Sequence, residues 1–248
     1  MNRRQLLAAM ASGVMLPHRA SGFGNSTLVD VAELNLGAGT LSRPSAWKRL
    51  LYEVIHSTSV ECRPESVQVT LDDPDFFQHP FTVLMGNRAF SIPGEQQLEQ
   101  LHRYLSYGGF LFVDETSGAE VSAFDDTLRK LCERLFPTRP LSPLPPDHSV
   151  YRSFFLLDAP LGRLARHRRL EGVTIGNLTP LVYCRNDLSG ALERRNDGSH
   201  VATCTPGGER QRREAIKLGV NLMMYSLTAN YKRDQVHVRE LMDMGKLR

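Results

Sequence analysis

Residues 93–115, PGEQQLEQLHRYLSYGGFLFVDE, constrain the fold of this chain more than any other stretch. Pro93 stands near the start of a segment whose Leu98, Leu101 and Leu105 share one helical face, and Gly108-Gly109 closes it. Proline at the start and glycine just past the end is the asymmetric punctuation of a helix. The next four residues, 110–113, are an unbroken apolar run stopped by Asp114 and Glu115. A strand without polar alternation is buried on both faces, which suits the middle of a parallel sheet covered by helices.

The same alternation runs along the chain. LVDVAELNLG (28–37), SVQVTL (66–71) and FTVLMGN (81–87) read as strands. Ser42 as cap and Pro44 in the first turn open a helix on which Trp47, Leu50, Leu51 and Val54 form one apolar stripe. Phe124, Leu128, Leu131 and Leu135 mark another helix. A long helix begins near Glu209, with Ile216, Val220, Met223 and Leu227 on its core side and a polar, partly helical tail. SFFLLD, GVTIGN, TPLVYC and HVATCT read as further strands, and turn-rich RRNDGS between the last two predicts an antiparallel hairpin at one edge. Residues 137–152 hold five prolines and read as an exposed connector or insertion. DDPDFFQHP (72–80) lacks the glycine and distal glutamate of an EF-hand loop and reads as a solvated loop pinned by Phe76 and Phe77. The pattern predicts one α/β domain over 27–245, a mostly parallel sheet between two helical layers.

The first 22 residues differ in kind. Arg3-Arg4 precede a short apolar run from Leu6 to Leu16, and Ala20-Ser21-Gly22 supplies the small residues of a cleavage point. This is the layout of an export signal of twin-arginine type, with cleavage expected after Gly22. The chain carries 30 Lys and Arg against 27 Asp and Glu, and three of those arginines lie in the leader, which has no acids. The mature chain is formally neutral, so its charge does not point to nucleic acid. RLARHRR (163–169) and ERQRREAIK (209–217) read first as solvated faces, with phosphate or anionic-lipid contact as the alternative. No apolar stretch of the mature chain is long enough to cross a membrane as a helix. An exported protein is placed in the periplasm, or held at the membrane where the leader stays uncleaved.

Ligands gather at the carboxyl ends of strands in such sheets. The ends readable here are Gly86-Asn87, Asp114-Glu115, Gly176-Asn177 and Arg185-Asn186-Asp187. Neighbouring strands would bring Asp114, Glu115, Arg185 and Asp187 to one rim as a single polar cluster, Arg185 pairing with Asp114 or Glu115, and Asn186 and Ser189 alongside. The plain reading is an ion-pair network that closes the core. The alternative is a ligand site. Asp114, Glu115 and Asp187 offer the hard oxygen donors of a Mg²⁺ or Ca²⁺ site; no cofactor is predicted, and a divalent cation is the alternative these carboxylates leave open. No nucleotide-binding glycine motif occurs.

YLSYGGFLFVDE, LVYCRNDLSGALE and LGVNLMMYSLTANYKRDQVHVRELM together resemble the bacterial family known as domain of unknown function 4159. The resemblance spans essentially the whole mature chain. It implies a three-layer, flavodoxin-like sheet of the class I glutamine amidotransferase-like kind. It also implies a setting among envelope-associated, BatA-like proteins and MoxR-type ATPases, but no activity. The superfamily's nucleophile sits on a sharp strand-to-helix turn between small residues. Here Cys184 lies between Tyr183 and Arg185, and neither His200 nor His237 stands in a recognisable motif. Cys184 therefore reads as a buried strand-end cysteine, and no amidotransferase residue carries over. Cys62, Cys132, Cys184 and Cys204 lack the spacing of a zinc site. Cys184 and Cys204 are the only pair open to a disulfide, and a chain folded before export does not depend on one.

Two functions follow as expectations. One is an exported, non-catalytic α/β module that binds an envelope protein, its small-molecule ligand unknown. The other is a hydrolase using the acidic strand-end cluster, with or without a metal.

Overall fold

The apolar run 110–115 forms the centre of the sheet. In the computed structural model, which describes residues 28–243 with side chains to 228, all six residues of β5 (Phe110–Glu115) are buried. β5 lies between β4 (Phe81–Gly86) and β8 (Leu178–Cys184), both parallel to it. Beyond β4 come β1 (Ala32–Leu34) and then β3 (Val67–Val69), also parallel. Beyond β8 the sheet turns antiparallel, through β7 (Glu171–Ile175) to β6 (Ser142–Pro143). β2 (Thr40–Leu41) pairs antiparallel with the end of β4. Taken in chain order, the five parallel strands lie second, first, third, fourth, fifth. That is the flavodoxin-like order. The expected leader, residues 1–22, lies outside the described residues, as do the ends of the 27–245 domain.

Helices cover both faces. α1 (Pro44–Ser57), the short α4 (Leu188–Leu192) and α5 (Gly208–Asp243) pack on one side. α2 (Glu95–Ser106) and α3 (Ala123–Leu135) pack on the other. The stripe of α1 is buried as its spacing demands, with Trp47 edge-on to Phe112 of β5 at 6.3 Å between ring centres. Each such side chain contributes roughly 1.5–3 kcal/mol when fully buried. α3 begins at Ser122, whose hydroxyl accepts the Asp125 N–H at 3.1 Å, and carries Asp125 and Asp126 in its first turn. Both features favour the positive end of a helix.

Several local expectations fail for identifiable reasons. The antiparallel edge is built by GVTIGN and TPLVYC, not by TPLVYC and HVATCT. Gly176, with φ of 60°, turns β7 directly into β8, so the free edge of β8 is filled before residues 200–205 arrive. Those residues make only a bridge between Arg194 and His200. Because β7 runs antiparallel, Gly176-Asn177 lies at the edge opposite the carboxyl rim. SFFLLD is irregular, held by Asn221, whose side-chain oxygen accepts the N–H groups of Phe154 at 3.2 Å and Phe155 at 2.7 Å. Ser42 does not cap α1; its hydroxyl donates to Glu33 at 2.7 Å and Arg43 takes the cap position with no side-chain bond. The proline-rich segment is not simply exposed: it supplies β6 and buries Leu144, Val150 and Tyr151. In the loop before β4, Phe76 is buried and Phe77 is exposed.

Candidate functional site

The pleat of the sheet divides the expected polar cluster in two. β5 and β8 are neighbours, with Asp114 opposite Cys184, so the residues do share one rim. Successive side chains of a strand point to opposite faces, however. Phe112, Val182 and Cys184 belong to the core on the α1 side, while Val113 and Tyr183 belong to the core on the α3 side. Asp114 therefore faces α1 and α4. Glu115 and Arg185 face α3.

On the α1 side the centre is fully buried. Asp114 accepts the N–H of Leu188 at 2.8 Å on one oxygen and that of Ser189 at 2.7 Å on the other. Burial first, and the neighbouring Asp187 carboxylate second, push Asp114 up to about 7, against the N–H bonds that favour its charged form. Asp187 adopts left-handed backbone with φ of 53° and caps α4, accepting the Gly190 N–H at 3.0 Å. The same oxygen accepts from Arg43 at 2.5 Å, and the other accepts from Arg163. Arg43 also donates to the Ser189 hydroxyl at 3.0 Å and lies 3.4 Å from Glu193. Its guanidinium is held above its ordinary value, the surrounding carboxylates outweighing burial.

On the α3 side Glu115 closes its own turn, accepting the N–H groups of Ser117 at 3.0 Å and Gly118 at 2.8 Å. The expected pairing of Arg185 with Asp114 or Glu115 is not made. Arg185 reaches instead toward Asp125 and Glu171, at 3.8 and 3.9 Å, and donates to the Glu120 carbonyl at 2.6 Å. Both acids are shared with Arg129, bound at 2.9 Å to each. The two-residue period explains the change of partner: Arg185 follows Tyr183, not Cys184, to the α3 face.

Asn186 belongs to neither network. Its side chain makes four hydrogen bonds to the 160–167 loop: it accepts from the N–H groups of Arg166 at 3.1 Å and His167 at 2.9 Å, and donates to the carbonyls of Pro160 at 2.6 Å and His167 at 2.7 Å. This loop delivers Arg163 to Asp187. Gly162 is required there, since a β-carbon would stand 2.2 Å from the Asn186 carbonyl oxygen.

Chemically, the centre is a closed set of donors and acceptors. Asp114, Glu115 and Asp187 do not converge as cation ligands: Glu115 lies on the other face, and the oxygens of the two aspartates are taken by N–H groups and guanidiniums. Among the described residues no group of three or more His, Cys, Asp and Glu is arranged to hold a metal ion. Cys184 is wholly buried, and burial with the nearby Asp114 raises its thiol well above the ordinary value. A nucleophilic thiol needs the reverse. All four cysteines are free and buried.

Sequence reasoning missed Arg43, Arg163 and Glu193. Arg43 stands in a loop with no motif, 144 residues from the aspartate it binds. Arg163 lies inside RLARHRR, read as a solvated face; its side chain is one quarter exposed, and its charge is taken by Asp187.

The strand order and the two helical layers define the class of protein, a flavodoxin-like three-layer α/β domain. Within that class the chain belongs to the family described as Domain of unknown function (DUF4159), which matches residues 30–227. The match runs from just before β1 into α5 and contains every rim residue described above. A comparison with curated proteins gives no match. Among the described residues no helix is long and apolar enough to cross a membrane.

Proposed function

We propose that this chain is an exported, non-catalytic α/β module that binds or assembles with components of the cell envelope. The observation that carries the reading is the closure of the rim. Both oxygens of Asp114 and both of Asp187 are bonded within the protein, and the adjacent Cys184 thiol is buried and raised in pKa. Such a centre fixes α4, the 160–167 loop and the start of α1 to one another. It leaves the outer surface as the means of contact. Export rests on Arg3-Arg4 and the apolar run that follows.

The test is fractionation of cells expressing the full chain, beside a variant with Arg3→Lys and Arg4→Lys, followed by pull-down from the envelope fraction. The wild type should leave the cytoplasm and recover a constant envelope partner, and the double variant should stay behind. A wild type retained in the cytoplasm would overturn the export reading.

The second reading, a hydrolase of amidotransferase-like fold, draws on Asp114. A carboxyl held near 7 can keep or release a proton at neutral pH, as a general acid or base must. Metal analysis of wild type, Asp114→Asn and Asp187→Asn separates the two. A stoichiometric ion lost from variants that remain folded favours the enzyme. Loss of folding without loss of an ion favours the module.

A further inference from the structure

The apolar run 154–157, FFLL, has the composition of a buried strand, yet it lies in an irregular segment at the surface. Phe155 and Leu157 pack against the core on the α1 side, while Phe154 is 43% exposed and Leu156 86%. Two large apolar side chains thus stand outward, two positions apart. An isolated exposed leucine needs no explanation, whereas grouped apolar exposure marks a contact surface. The backbone beneath them is fixed. Asn221, wholly buried on α5, accepts the N–H groups of Phe154 and Phe155 and donates to the carbonyls of Val150 at 3.1 Å and Phe155 at 2.8 Å. The Leu157 N–H donates to the Tyr151 carbonyl at 3.0 Å. The N–H groups of Phe154, Phe155 and Leu157 are therefore bonded within the protein, which lowers the cost of bringing this segment against an apolar medium.

Basic side chains flank the run. Arg152 is exposed, and its side chain makes no hydrogen bond or ion pair with the described residues. The Tyr151 hydroxyl accepts the Leu170 N–H at 2.7 Å, which brings the preceding residue, Arg169, into the neighbourhood of the segment. Arg169 is likewise exposed and unpaired among the described residues. From α5, Lys217 stands 5.9 Å from the centre of the Phe155 ring and pairs with Glu214 at 2.8 Å. Asp158, at the end of the run, is exposed. Long cationic side chains beside outward apolar ones suit the boundary of a bilayer, with the charged heads among phosphates and the apolar groups below them.

We propose that this segment docks on an anionic lipid surface, Phe154 and Leu156 entering the interfacial layer and Arg152 and Arg169 meeting lipid phosphates. Outward apolar side chains with unpaired arginines beside them match a fluid anionic surface, which requires charge but no complementary shape. The proposal rests on the reading that this chain acts by contact at the cell envelope, and it gives that contact a place and a chemistry. It also separates the arginines of the 163–169 cluster: Arg163 is bound to Asp187, and Arg169 is left for an external anion.

The test sediments the full chain with phosphatidylcholine vesicles, with and without phosphatidylglycerol. Binding to the anionic vesicles is expected, weakening as salt is raised. Leu156→Ser and Phe154→Ser should each weaken it by about tenfold or more, the worth of burying one large apolar side chain. Arg152→Gln should weaken it by about fivefold. Val121→Ser, at a residue 81% exposed in the loop after β5, should bind as wild type. Leu156→Trp locates the contact whatever the leader does: its emission should shift to the blue on anionic vesicles and be quenched by brominated lipid, and Val121→Trp should show neither change. No binding to anionic vesicles, undiminished binding by Leu156→Ser and Phe154→Ser, or an unshifted Leu156→Trp overturns the proposal. Capture of an envelope protein that Leu156→Ser abolishes, without vesicle binding, also overturns it and assigns the surface to a protein partner, leaving the envelope reading in place. Vesicle binding by a chain that cells retain in the cytoplasm upholds the lipid contact and defeats the export reading alone.

Discussion

Asp187 is the residue whose replacement tests the rim most sharply. It is wholly buried, bonds Arg43 and Arg163, and caps α4 from left-handed backbone. Asp187→Asn keeps an oxygen for the Gly190 N–H and a side chain that tolerates left-handed backbone, but it removes the charge between two guanidiniums. Removing one partner of a buried ion pair costs about 3–5 kcal/mol. The arginine side chains keep 17% and 26% exposure, so water recovers part of the loss. The repulsion with Asp114 also disappears. The lower end, about 3 kcal/mol, is therefore expected. Asp187→Ala loses in addition the cap, about 1 kcal/mol, and leaves alanine in left-handed backbone, about 1 kcal/mol more. Against a total stability of roughly 5–15 kcal/mol, both changes are large. Urea denaturation of the full chain at pH 7.5, followed by circular dichroism, measures them. An asparagine variant within about 1 kcal/mol of wild type would show that the network does not hold the fold. Equal losses for asparagine and alanine would remove the conformational part of the argument.

Three further outcomes follow from the same geometry. Asp114 has a folded value of about 7, above the ordinary 3.8, so its contribution to stability is fully present below the ordinary value and is lost as pH rises through about 7. Stability measured across that window should fall by at most ~1.4 kcal/mol per pH unit on this account, and Asp114→Asn should flatten the slope; a wild type without that decline contradicts the raised value. Asn186→Ala removes four hydrogen bonds to the 160–167 loop and should cost about 3 kcal/mol while opening that loop to protease; unchanged proteolysis there would count against its pinning role. The Cys184 thiol should resist an aromatic disulfide reagent in the native protein and react at the rate of global unfolding, whereas fast native labelling of Cys184, located by peptide mass, would refute its burial.

The long apolar patterns were legible in the sequence because each decides burial by itself. Residues 110–115 need no partner to be recognised as a central strand, and the α1 stripe needs none to be recognised as a helix face. Pairing was less legible. HVATCT has the apolar content of a strand, yet whether it pairs depends on whether the edge of β8 is still free, and the short turn at Gly176-Asn177 fills that edge first. The division of the rim could have been read, since Asp114 and Glu115 are consecutive on one strand and must face apart. The partners of the acids could not. Arg43 and Arg163 reach Asp187 from loops 144 and 24 residues away in sequence, and no local pattern encodes such an approach.

The position of the charged centre has a physical reason in the strand order. A flavodoxin-like sheet opens a crevice where connections leave in opposite directions, here between β1 and β4, and ligands commonly enter there. This chain fills that place with its own backbone. β2 pairs Thr40 with Gly86 and Leu41 with Met85, and a β-carbon on Gly39 would stand 2.1 Å from the Ala89 carbonyl oxygen. The end of β1 secures the filling: buried Glu33 accepts from the Ser42 hydroxyl at 2.7 Å, the Arg43 N–H at 2.9 Å and the Ser66 hydroxyl at 2.6 Å. With its backbone fixed at the usual ligand crevice, Arg43 extends its guanidinium to Asp187, beyond the end of β8. The filled crevice and the buried charge centre are therefore one mechanical unit. A ligand entering between β1 and β4 would therefore have to displace β2 or lie outside it.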